Sequence, residues 1–478
     1  MYSQEDQLFQ DNKNGVVIQT AEIGWKTAAQ QPVRLQPSWE ESNLPEEELN
    51  FQKLTMDDAS LQLNTPIDRY HIVYFIFILH GIGTLMPWNM FINANDYFTN
   101  YKLDYNYTRQ EDTVYKTSFL QYLGFAAQVP NVVFNWLNIF VQLGGNLTTR
   151  IVWSICIEVI IFVFTIILAM VDSSAWPGAF FWITMISVVI LNIMNGIYQN
   201  TIFGMAAKLP PRYTGAVILG TNISGTFTAV VSILSSLLSS NKRMQAIYYF
   251  ITALFVLLLC FDTYFALPLN RFYRHHELKE KKEAEMKRNK NIPMRRVPYL
   301  KIFGQAFPQL ANVFLVFFVT LSLFPAVQAN IRPYDKNFFI QDMFTHITCF
   351  LTFNLLAMIG SLTSNYVVWP SPRFLCIPVL CRLFYIPFYL LCNYQVDGIA
   401  RILPVVVRYD WFYWIVAMTM GFTSGYFSSI GMQYVPRCVE PQYASVAGMF
   451  GGAALISGIF AGILSAFIWP KFIQYVGV

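Results

Sequence analysis

The sequence has few charged residues. Only 13% of its 478 residues are Asp, Glu, Lys or Arg, and the net charge is +4, whereas soluble domains usually carry about 25% charged residues. A positive charge this small and scattered does not indicate nucleic acid as a partner. Because 55% of the residues are hydrophobic and 17% are aromatic, the composition indicates a membrane protein.

Cysteine is also scarce. The seven cysteines lie in or beside apolar stretches and lack the spacing of metal ligands, so we interpret them as small buried residues and predict neither disulfides nor a metal site. The sequence contains no nucleotide-binding loop, no catalytic constellation and no chain of acidic residues like those of pumps. It therefore predicts neither an enzyme nor a cofactor.

Long hydrophobic runs are missing from residues 1–65. This segment is polar and rich in acidic residues, with scattered prolines and no cleavable signal peptide. Such a composition cannot bury a hydrophobic core. The sequence therefore predicts a disordered acidic tail on the cytoplasmic side.

From residue 66 onward, apolar runs of about 20 residues recur, which is the length that crosses a bilayer as a helix. They predict an all-α polytopic membrane protein with eleven transmembrane helices, near 71–97, 119–142, 151–171, 177–206, 214–238, 246–268, 303–327, 340–366, 373–392, 410–433 and 443–469. Six helices precede a basic loop and five follow it. We therefore expect a six-helix bundle at 66–270, a loop at 271–301 and a five-helix bundle at 302–478.

The basic loop between Arg271 and Lys301 sets the predicted orientation. Loops rich in Lys and Arg stay in the cytoplasm, which places the N-terminus there and, after eleven helices, the C-terminus outside. The glycosylation sequon at Asn106 then falls in an external loop, whereas the sequon at Asn146 is cytoplasmic and unused. We interpret the loop as a solvated linker next to the lipid bilayer. Binding of anionic lipid is the more specific alternative.

The first hydrophobic run differs from a simple membrane anchor in its second half. Gly83 allows close approach of another helix or a solute, and Pro87 removes a backbone donor, which predicts a loosened helix. Trp88 and Asn89 place an aromatic face and an amide at the same point. A buried amide in hydrocarbon needs a polar partner, so this run is a candidate binding element.

Two further runs carry rows of amide side chains, each on one helix face. The rows are Gln128, Asn131, Asn135 and Asn138 in the second run, and Asn192, Asn195 and Gln199 in the fourth. Amides within a membrane face the bundle interior, because lipid offers them no partner. They serve either as contacts between helices or as the lining of a polar cavity, and two rows of this length favour the cavity.

Ionisable residues are rare inside the apolar runs. Glu158, Asp262 and Arg382 lie deepest in apolar sequence. Internal pairing is one interpretation, and a proton-relay role is the alternative.

The candidate cavity residues are neutral. Leu85, Trp88 and Phe324 offer apolar and aromatic faces, while Asn89, Gln199 and Asn354 offer neutral donors and acceptors. This mixture suits a neutral, flat, hydroxylated solute better than an ion or a phosphate, which would favour arginines or helix ends. Nucleosides and several other metabolites meet that description.

Several of these motifs resemble one known family. The entry Pro66-Ile67-Asp68-Arg69-Tyr70 and the stretch from Gly81 to Asn89 are similar to the first membrane helix of the equilibrative nucleoside transporters. The similarity continues, with gaps, from about Pro66 to the C-terminus. It implies eleven membrane helices in a fold like that of the major facilitators, and facilitated diffusion of a nucleoside.

The resemblance assigns roles to individual positions. Gln199 matches the family's base-reading glutamine, in the stretch from Tyr198 to Gly204, and Asn354 matches the family motif of the eighth helix. The implied substrate-binding set is Leu85, Trp88, Asn89, Gln128, Asn131, Gln199, Phe324, Asn354 and Ile459. The implied structural positions are Gly83, Pro87, Gly220 and Pro325.

The sequence departs from the family at four of its positions. In the eighth helix the family has an Asp and an Arg that together bind the ribose hydroxyls, and here Ala357 and Ser361 stand in their place. In the second helix Gln128 and Asn131 occupy positions that are often apolar in the family. We therefore hypothesise that hydrogen bonding to the substrate has moved from the eighth helix to the second.

Together these features predict a facilitative carrier of nucleosides or nucleobases, in the plasma membrane. A carrier of another small metabolite or of an organic cation, with or without proton coupling through Glu158, is the alternative within transport. The alternative outside transport is a sensor that has kept the fold but does not transport a substrate.

Overall fold

The computed structural model describes residues 66–94, 97–109, 114–117, 119–141, 146–239, 241–279, 297–335, 344–396 and 400–476. The tail predicted for residues 1–65 and most of the basic loop, residues 280–296, lie outside the described residues. Residues Pro66–Val478 form one compact unit, within which the described residues lie.

Helices dominate the N-terminal half of the described chain. The long ones are α1 (Ile72–Asn93), α2 (Phe119–Val141), α3 (Leu147–Met170), α4 (Pro177–Ala206), α5 (Arg212–Leu238) and α6 (Lys242–Ala266). Between α1 and α2 lie a π-helical turn, Phe98–Lys102, and two short helices, Tyr105–Thr108 and Val114–Thr117.

Helices also form the C-terminal half, where two of them are irregular. They are α7 (Tyr299–Leu323), α8 (Thr352–Thr363, after a π-helical segment Thr345–Leu351), α9 (Cys376–Cys381, a 3-10 turn Arg382–Phe384, and Tyr385–Leu391), α10 (Asp410–Tyr434), α11 (Ala444–Ala466) and α12 (Ile468–Tyr475). The predicted run at 303–327 therefore ends four residues early as a helix, at Leu323. The run predicted at 443–469 is covered by α11 and the start of α12.

Six helical stretches among the described residues are long and apolar enough to cross a membrane. They are Arg69–Ile92, Leu147–Met170, Pro177–Ala206, Lys242–Leu269, Tyr299–Asn330 and Pro441–Tyr475. Two further apolar helices, Ile347–Thr363 and Cys376–Leu391, are shorter. α2 carries polar residues that lower its mean hydropathy.

The polarity of α2 is the reverse of that of a helix on a soluble protein. Its exposed side chains are apolar and recur every three or four residues: Phe125, Val129, Val133, Leu137 and Phe140. Its four amides lie on the buried face. This is the pattern of a helix that turns apolar residues to lipid and polar residues to a protein interior.

The helices pack in two groups. In the first, α1 lies against α4, α5 and α6, while α4 also contacts α2 and α3. In the second, α7 packs on α11 and α10 packs on α7 and α8. The groups meet where α11 contacts α2 and α4, and where α5 contacts α8 and α10. The amide-bearing helices α2 and α4 therefore face the second group.

Candidate functional site

The two helices with amide rows approach each other closely at Gly196 in α4. A Cβ atom at this position would lie 2.8 Å from the backbone carbonyl oxygen of Asn131 and 3.3 Å from the backbone nitrogen of Asn135, both in α2. Only glycine allows the backbones so near. The contact brings the amide rows of α2 and α4 together.

One set of amides is hydrogen-bonded between helices, although Asn135 Nδ2 has no partner among the described residues. Asn138 Nδ2 donates to Asn200 Oδ1 at 3.0 Å and to Thr201 Oγ1 at 3.1 Å. Asn200 Nδ2 in turn donates to Asn135 Oδ1 at 3.0 Å and to the Met449 carbonyl of α11 at 2.7 Å. We call Asn135, Asn138 and Asn200 the paired amide cluster. Its role is to join α2, α4 and α11.

A second set of amides lies beside the first and has no such partners. Gln128 and Asn131 are 5% and 4% exposed, and Asn195 and Gln199 are 0% exposed. Among the described residues, none of their four amide oxygens accepts a hydrogen bond, and the amide nitrogens of Asn195 and Gln199 are also unpaired. We call these four residues the unpaired amide cluster.

Unpaired amides in a buried place require an explanation. A buried polar group without a hydrogen bond is unfavourable by about 1–3 kcal/mol, and native proteins hold few of them. The free atoms in the unpaired amide cluster are both donors and acceptors. They are suited to bind the edge of a neutral polar ligand, or water in its absence.

The predicted residues of α1 lie partly exposed near its end. Leu85, Trp88 and Asn89 are each half-buried. Asn89 Nδ2 donates to Ser224 Oγ of α5 at 3.1 Å, so this amide has a protein partner. Pro87 was predicted to loosen the helix, but α1 is continuous from Ile72 to Asn93.

The glycines predicted to be structural lie at helix contacts. A Cβ at Gly83 would lie 2.8 Å from Cys260 Sγ and 3.2 Å from the Tyr198 hydroxyl, and one at Gly220 would lie 2.9 Å from the Gly81 Cα. Gly83 therefore faces the interior of the first group. Gly220 allows α5 to pack on α1.

The predicted residues of the second group lie around the ends of α7, α8 and α11. The ring of Phe324 stacks on Phe353 with centroids 3.9 Å apart, and Pro325 follows it, exposed, beyond the end of α7. Asn354 is half-buried and donates to the Phe350 carbonyl at 2.9 Å. Ile459 is buried in α11.

The two positions where the family's ribose-binding pair is replaced lie at a helix contact. Ser361 is fully buried, accepts a hydrogen bond from Asn222 Nδ2 of α5 at 2.6 Å and donates to the Gly425 carbonyl of α10 at 3.1 Å. Ala357 is buried in the same helix. Ser361 thus links α8 to α5, which belongs to the first group.

The rare ionisable residues have different surroundings. Asp262 is exposed. Arg382 is buried and donates to Thr320 Oγ1 at 2.8 Å, to the Met420 carbonyl at 3.3 Å and to the Thr423 hydroxyl. Glu158 is fully buried, and neither carboxylate oxygen has a hydrogen-bond partner among the described residues.

No group of His, Cys, Asp and Glu that could hold a metal ion occurs in the described part of the chain.

Hydrogen bonds hold the two groups together in the half of the molecule where α1 begins. The Asn365 amide, just beyond α8, donates to the Tyr74 hydroxyl near the start of α1 at 2.8 Å. The Asn222–Ser361 bond and the bond from Asn200 to the Met449 carbonyl lie in the same half. This end of the interface is therefore closed.

Several residues of this arrangement were not predicted from the sequence. Asn200 and Asn222 contact both groups, yet neither belongs to the amide rows at spacings of three and four. Asn200 directly follows Gln199, so it projects about 100° away around the helix. An amide side chain within an apolar run was the sequence signal that could have identified Asn200.

Comparison with known proteins identifies relatives along nearly the whole chain. The family described as "Nucleoside transporter" matches residues 185–471. Equilibrative nucleoside transporter 1 of Homo sapiens is 30% identical over 453 residues, which cover 84% of this chain and 98% of the relative. Equilibrative nucleoside transporter 2 of Homo sapiens is 29% identical, with 85% and 98% covered.

A solved structure shares the fold at low sequence identity. The proton:xylose symporter XylE of the major facilitator superfamily, bound to 6-bromo-6-deoxy-D-glucose, superposes with a TM-score of 0.56 at 11% identity. The match covers 85% of this chain and 90% of the symporter. The helices therefore adopt an arrangement like that of the major facilitators.

Proposed function

Because the chain belongs to the nucleoside transporter family, we propose that it carries nucleosides and nucleobases across a membrane by facilitated diffusion. It is a multi-pass membrane protein and not an enzyme. A neutral solute does no work against the membrane potential, so its own gradient drives its movement.

The observation that carries this proposal is the unpaired amide cluster. Gln128, Asn131, Asn195 and Gln199 present free hydrogen-bonding atoms in the bundle interior, on the helices that face the second group. A nucleobase carries neutral donors and acceptors on its edge, and it can satisfy these amides without bringing a charge into a dry site. Gln199 has the role of reading the base, as the family resemblance implies.

Aromatic and apolar side chains complete the proposed site. Trp88 and Leu85 on α1 supply flat and apolar surface for the faces of the base. Asn89, Phe324, Asn354 and Ile459 form the remaining wall. No cofactor takes part.

Transport follows from alternating access of two bundles. We assign eleven helices, α1 to α11, as membrane spans, six in the bundle at 66–270 and five in the bundle at 302–478. The structure is closed where Asn365 bonds to Tyr74. Opening that end requires the Asn365–Tyr74, Asn222–Ser361 and Asn200–Met449 bonds to break, while the opposite end closes over the substrate.

The orientation rests on the sides at which the loops leave the helices. α2 lies between Asn106 and Asn146 in the chain, so a membrane-spanning α2 puts them on opposite sides. With the basic loop at 271–301 in the cytoplasm, the N-terminus and the closed end are cytoplasmic. Asn106 and the C-terminus are then extracellular, and the plasma membrane is the site of action.

The substrate range is expected to extend beyond ribonucleosides. Ser361 is occupied by Asn222 and Gly425, and Ala357 has no polar side chain, so neither replaces the family's ribose-binding pair. Gln128 and Asn131 supply amides on α2 instead. We therefore expect free nucleobases and deoxynucleosides to compete with ribonucleosides for the site.

Uptake of radiolabelled adenosine, uridine and adenine into transport-deficient cells tests the proposal. Cells that express the chain should take up these compounds until inside and outside concentrations are equal, and cells with empty vector should not. Uptake of an organic cation but of none of the three would favour the alternative within transport. Surface expression with binding but no uptake would identify a sensor, and either result would overturn the proposal.

A further inference from the structure

A cluster of buried hydrogen-bonding and ionisable side chains lies behind the proposed substrate site. His80 Nδ1 of α1 lies 2.6 Å from the Tyr198 hydroxyl of α4, and the Tyr198 hydroxyl and Cys260 Sγ of α6 both lie beside Gly83. Glu158 lies on α3, which packs against both α4 and α6. Four helices of the first group thus contribute to one cluster.

Room for this cluster comes from Gly83. A Cβ there would lie 2.8 Å from Cys260 Sγ and 3.2 Å from the Tyr198 hydroxyl, so any larger residue would displace one of them. His80, Tyr198, Cys260 and Glu158 are all 0% exposed. The cluster is therefore built into the bundle core and does not face lipid.

Two members of the cluster have unused hydrogen-bonding atoms. Both carboxylate oxygens of Glu158 and Nε2 of His80 lack hydrogen-bond partners among the described residues. An unpaired carboxylate in a dry interior is strongly unfavourable. In this conformation no donor among the described residues stabilises a negative charge on Glu158.

The neighbours of Glu158 offer no compensating charge. α3 packs against α4 and α6, which contribute Tyr198, Cys260 and Tyr264, and α1 contributes His80. Arg150, at the start of α3, donates to the carbonyl and the side-chain oxygen of Asn138 at 3.4 Å. Asp262 of α6 is exposed. A bound proton is thus the available means of neutralising Glu158.

We propose that Glu158 is a proton-binding site whose occupancy controls the affinity of the unpaired amide cluster for its substrate. The proposal rests on the transport activity proposed above. Tyr198 connects the two sites, because it contacts His80 and directly precedes Gln199 in α4. Protons are bound and released without being carried along with the substrate, so transport remains equilibrative.

The coupling has a simple physical course. When Glu158 releases its proton to bulk water, the carboxylate needs a donor, and the Tyr198 hydroxyl on the adjacent helix α4 can supply it. A Tyr198 hydroxyl that turns to Glu158 gives up its 2.6 Å contact with His80. The segment of α4 that carries Gln199 then shifts relative to α1. Raising the pH should therefore weaken substrate binding.

Adenosine uptake at equal pH on both sides of a proteoliposome membrane tests this inference. Adenosine stays uncharged between about pH 5.5 and about pH 8.5, so a change in KM across this range reports on the protein. The KM of the wild-type protein should rise several-fold across this range. Glu158→Gln, which mimics the protonated acid, should keep the low KM at every pH.

Two further variants make the experiment decisive. Asp262→Asn is the matched control, because it removes an exposed acid in the same bundle, and it should keep the wild-type pH profile. Tyr198→Phe retains Glu158 but removes the connecting hydroxyl, so it should shift or flatten the profile even if Glu158→Gln fails to fold.

The outcomes separate this inference from the proposed function. A wild-type KM that does not change with pH, or a Glu158→Gln variant that keeps the wild-type profile, would overturn the proton site while leaving transport intact. Substrate accumulation driven by a pH gradient would also overturn it, because that identifies a proton symporter. Absence of uptake at every pH would instead contradict the proposed function.

Discussion

Gln199 and Asn200 are adjacent in α4, yet their amides differ completely in their partners. The Asn200 amide bonds to Asn135, Asn138 and the Met449 carbonyl, whereas among the described residues the Gln199 amide bonds to nothing. Asn200 holds helices together, whereas Gln199 keeps atoms that the proposed substrate would pair with. The first three predictions test whether the amide rows divide into these two roles.

Gln199→Ala and Trp88→Ala should each weaken uptake of a purine substrate. Loss of one partner in a buried hydrogen bond is unfavourable by about 1–3 kcal/mol, which corresponds to about 5-fold to 150-fold in affinity. Trp88→Ala should act through lost stacking and packing. Initial uptake rates corrected for surface abundance provide the measurement. Gln395→Ala, an exposed glutamine, is the matched control, and normal transport by both site variants would place the site elsewhere.

The double variant Gln128→Met with Asn131→Leu should also reduce uptake, because it removes two of the free amides of α2. Its side chains remain similar in size, so the fold should tolerate them. KM for adenosine and for adenine should be measured in the same cells. Wild-type KM values from a normal surface population would show that these amides do not touch the substrate.

Asn138→Leu should lower stability without changing KM. It removes the donor to Asn200 and Thr201, and interhelical hydrogen bonds in membrane proteins contribute about 0.6–2 kcal/mol. The melting temperature of the purified protein in detergent should fall, while substrate affinity of the remaining folded protein stays unchanged. A raised KM with an unchanged melting temperature would reverse the two assignments.

A glycan is expected at Asn106 and none at Asn146. Asn106 is exposed in the short helix between α1 and α2, in the loop that the proposed topology places outside. Treatment with a glycosidase should shift the protein on a gel, and Asn106→Gln should abolish the shift. If the shift survives Asn106→Gln but is lost in Asn146→Gln, the topology is inverted.

Lys102 should make stability depend on pH in the alkaline range. Its burial, with Arg243 nearby, lowers its pKa to about 8 from 10.5. Below pH 8 the ammonium is charged in both folded and unfolded chains, and its burial destabilises the fold. As pH rises from about 8 to about 10.5, the folded protein loses this proton while the unfolded chain keeps it, so this contribution to stability becomes more favourable.

Lys102→Met removes that titration. The melting temperature of the variant minus that of the wild type should therefore decrease as pH rises from about 7 to about 10. Differential scanning fluorimetry of both proteins in the same detergent measures it. A difference that stays constant with pH would contradict the assignment.

The all-helical fold and the family could be predicted from the sequence, and both are confirmed. Apolar runs locate helices well because lipid demands both length and low polarity. They locate helix ends and irregularities poorly. The π-helical segment Thr345–Leu351 and the 3-10 turn at Arg382 leave no trace in hydropathy, because they depend on local packing.

The site was only partly accessible to sequence reasoning. Periodicity identified the amide rows, but it could not show that the amide oxygens of Asn135 and Asn138 accept hydrogen bonds while those of Gln128 and Asn131 do not. That distinction depends on which residue of α4 lies opposite, and on Gly196 allowing the approach. Likewise, the contact between Ser361 and Asn222 depends on how α5 meets α8.

The reversed polarity of α2 also has a consequence for how the protein is made. An isolated helix with Gln128, Asn131, Asn135 and Asn138 on one face would expose all four amides to hydrocarbon on leaving the insertion machinery. The partners of two of them, Asn135 and Asn138, are on α4, about 60 residues later in the chain. Stable residence of α2 in the bilayer therefore has to await synthesis of α4, so that these helices enter the membrane as a cooperative unit.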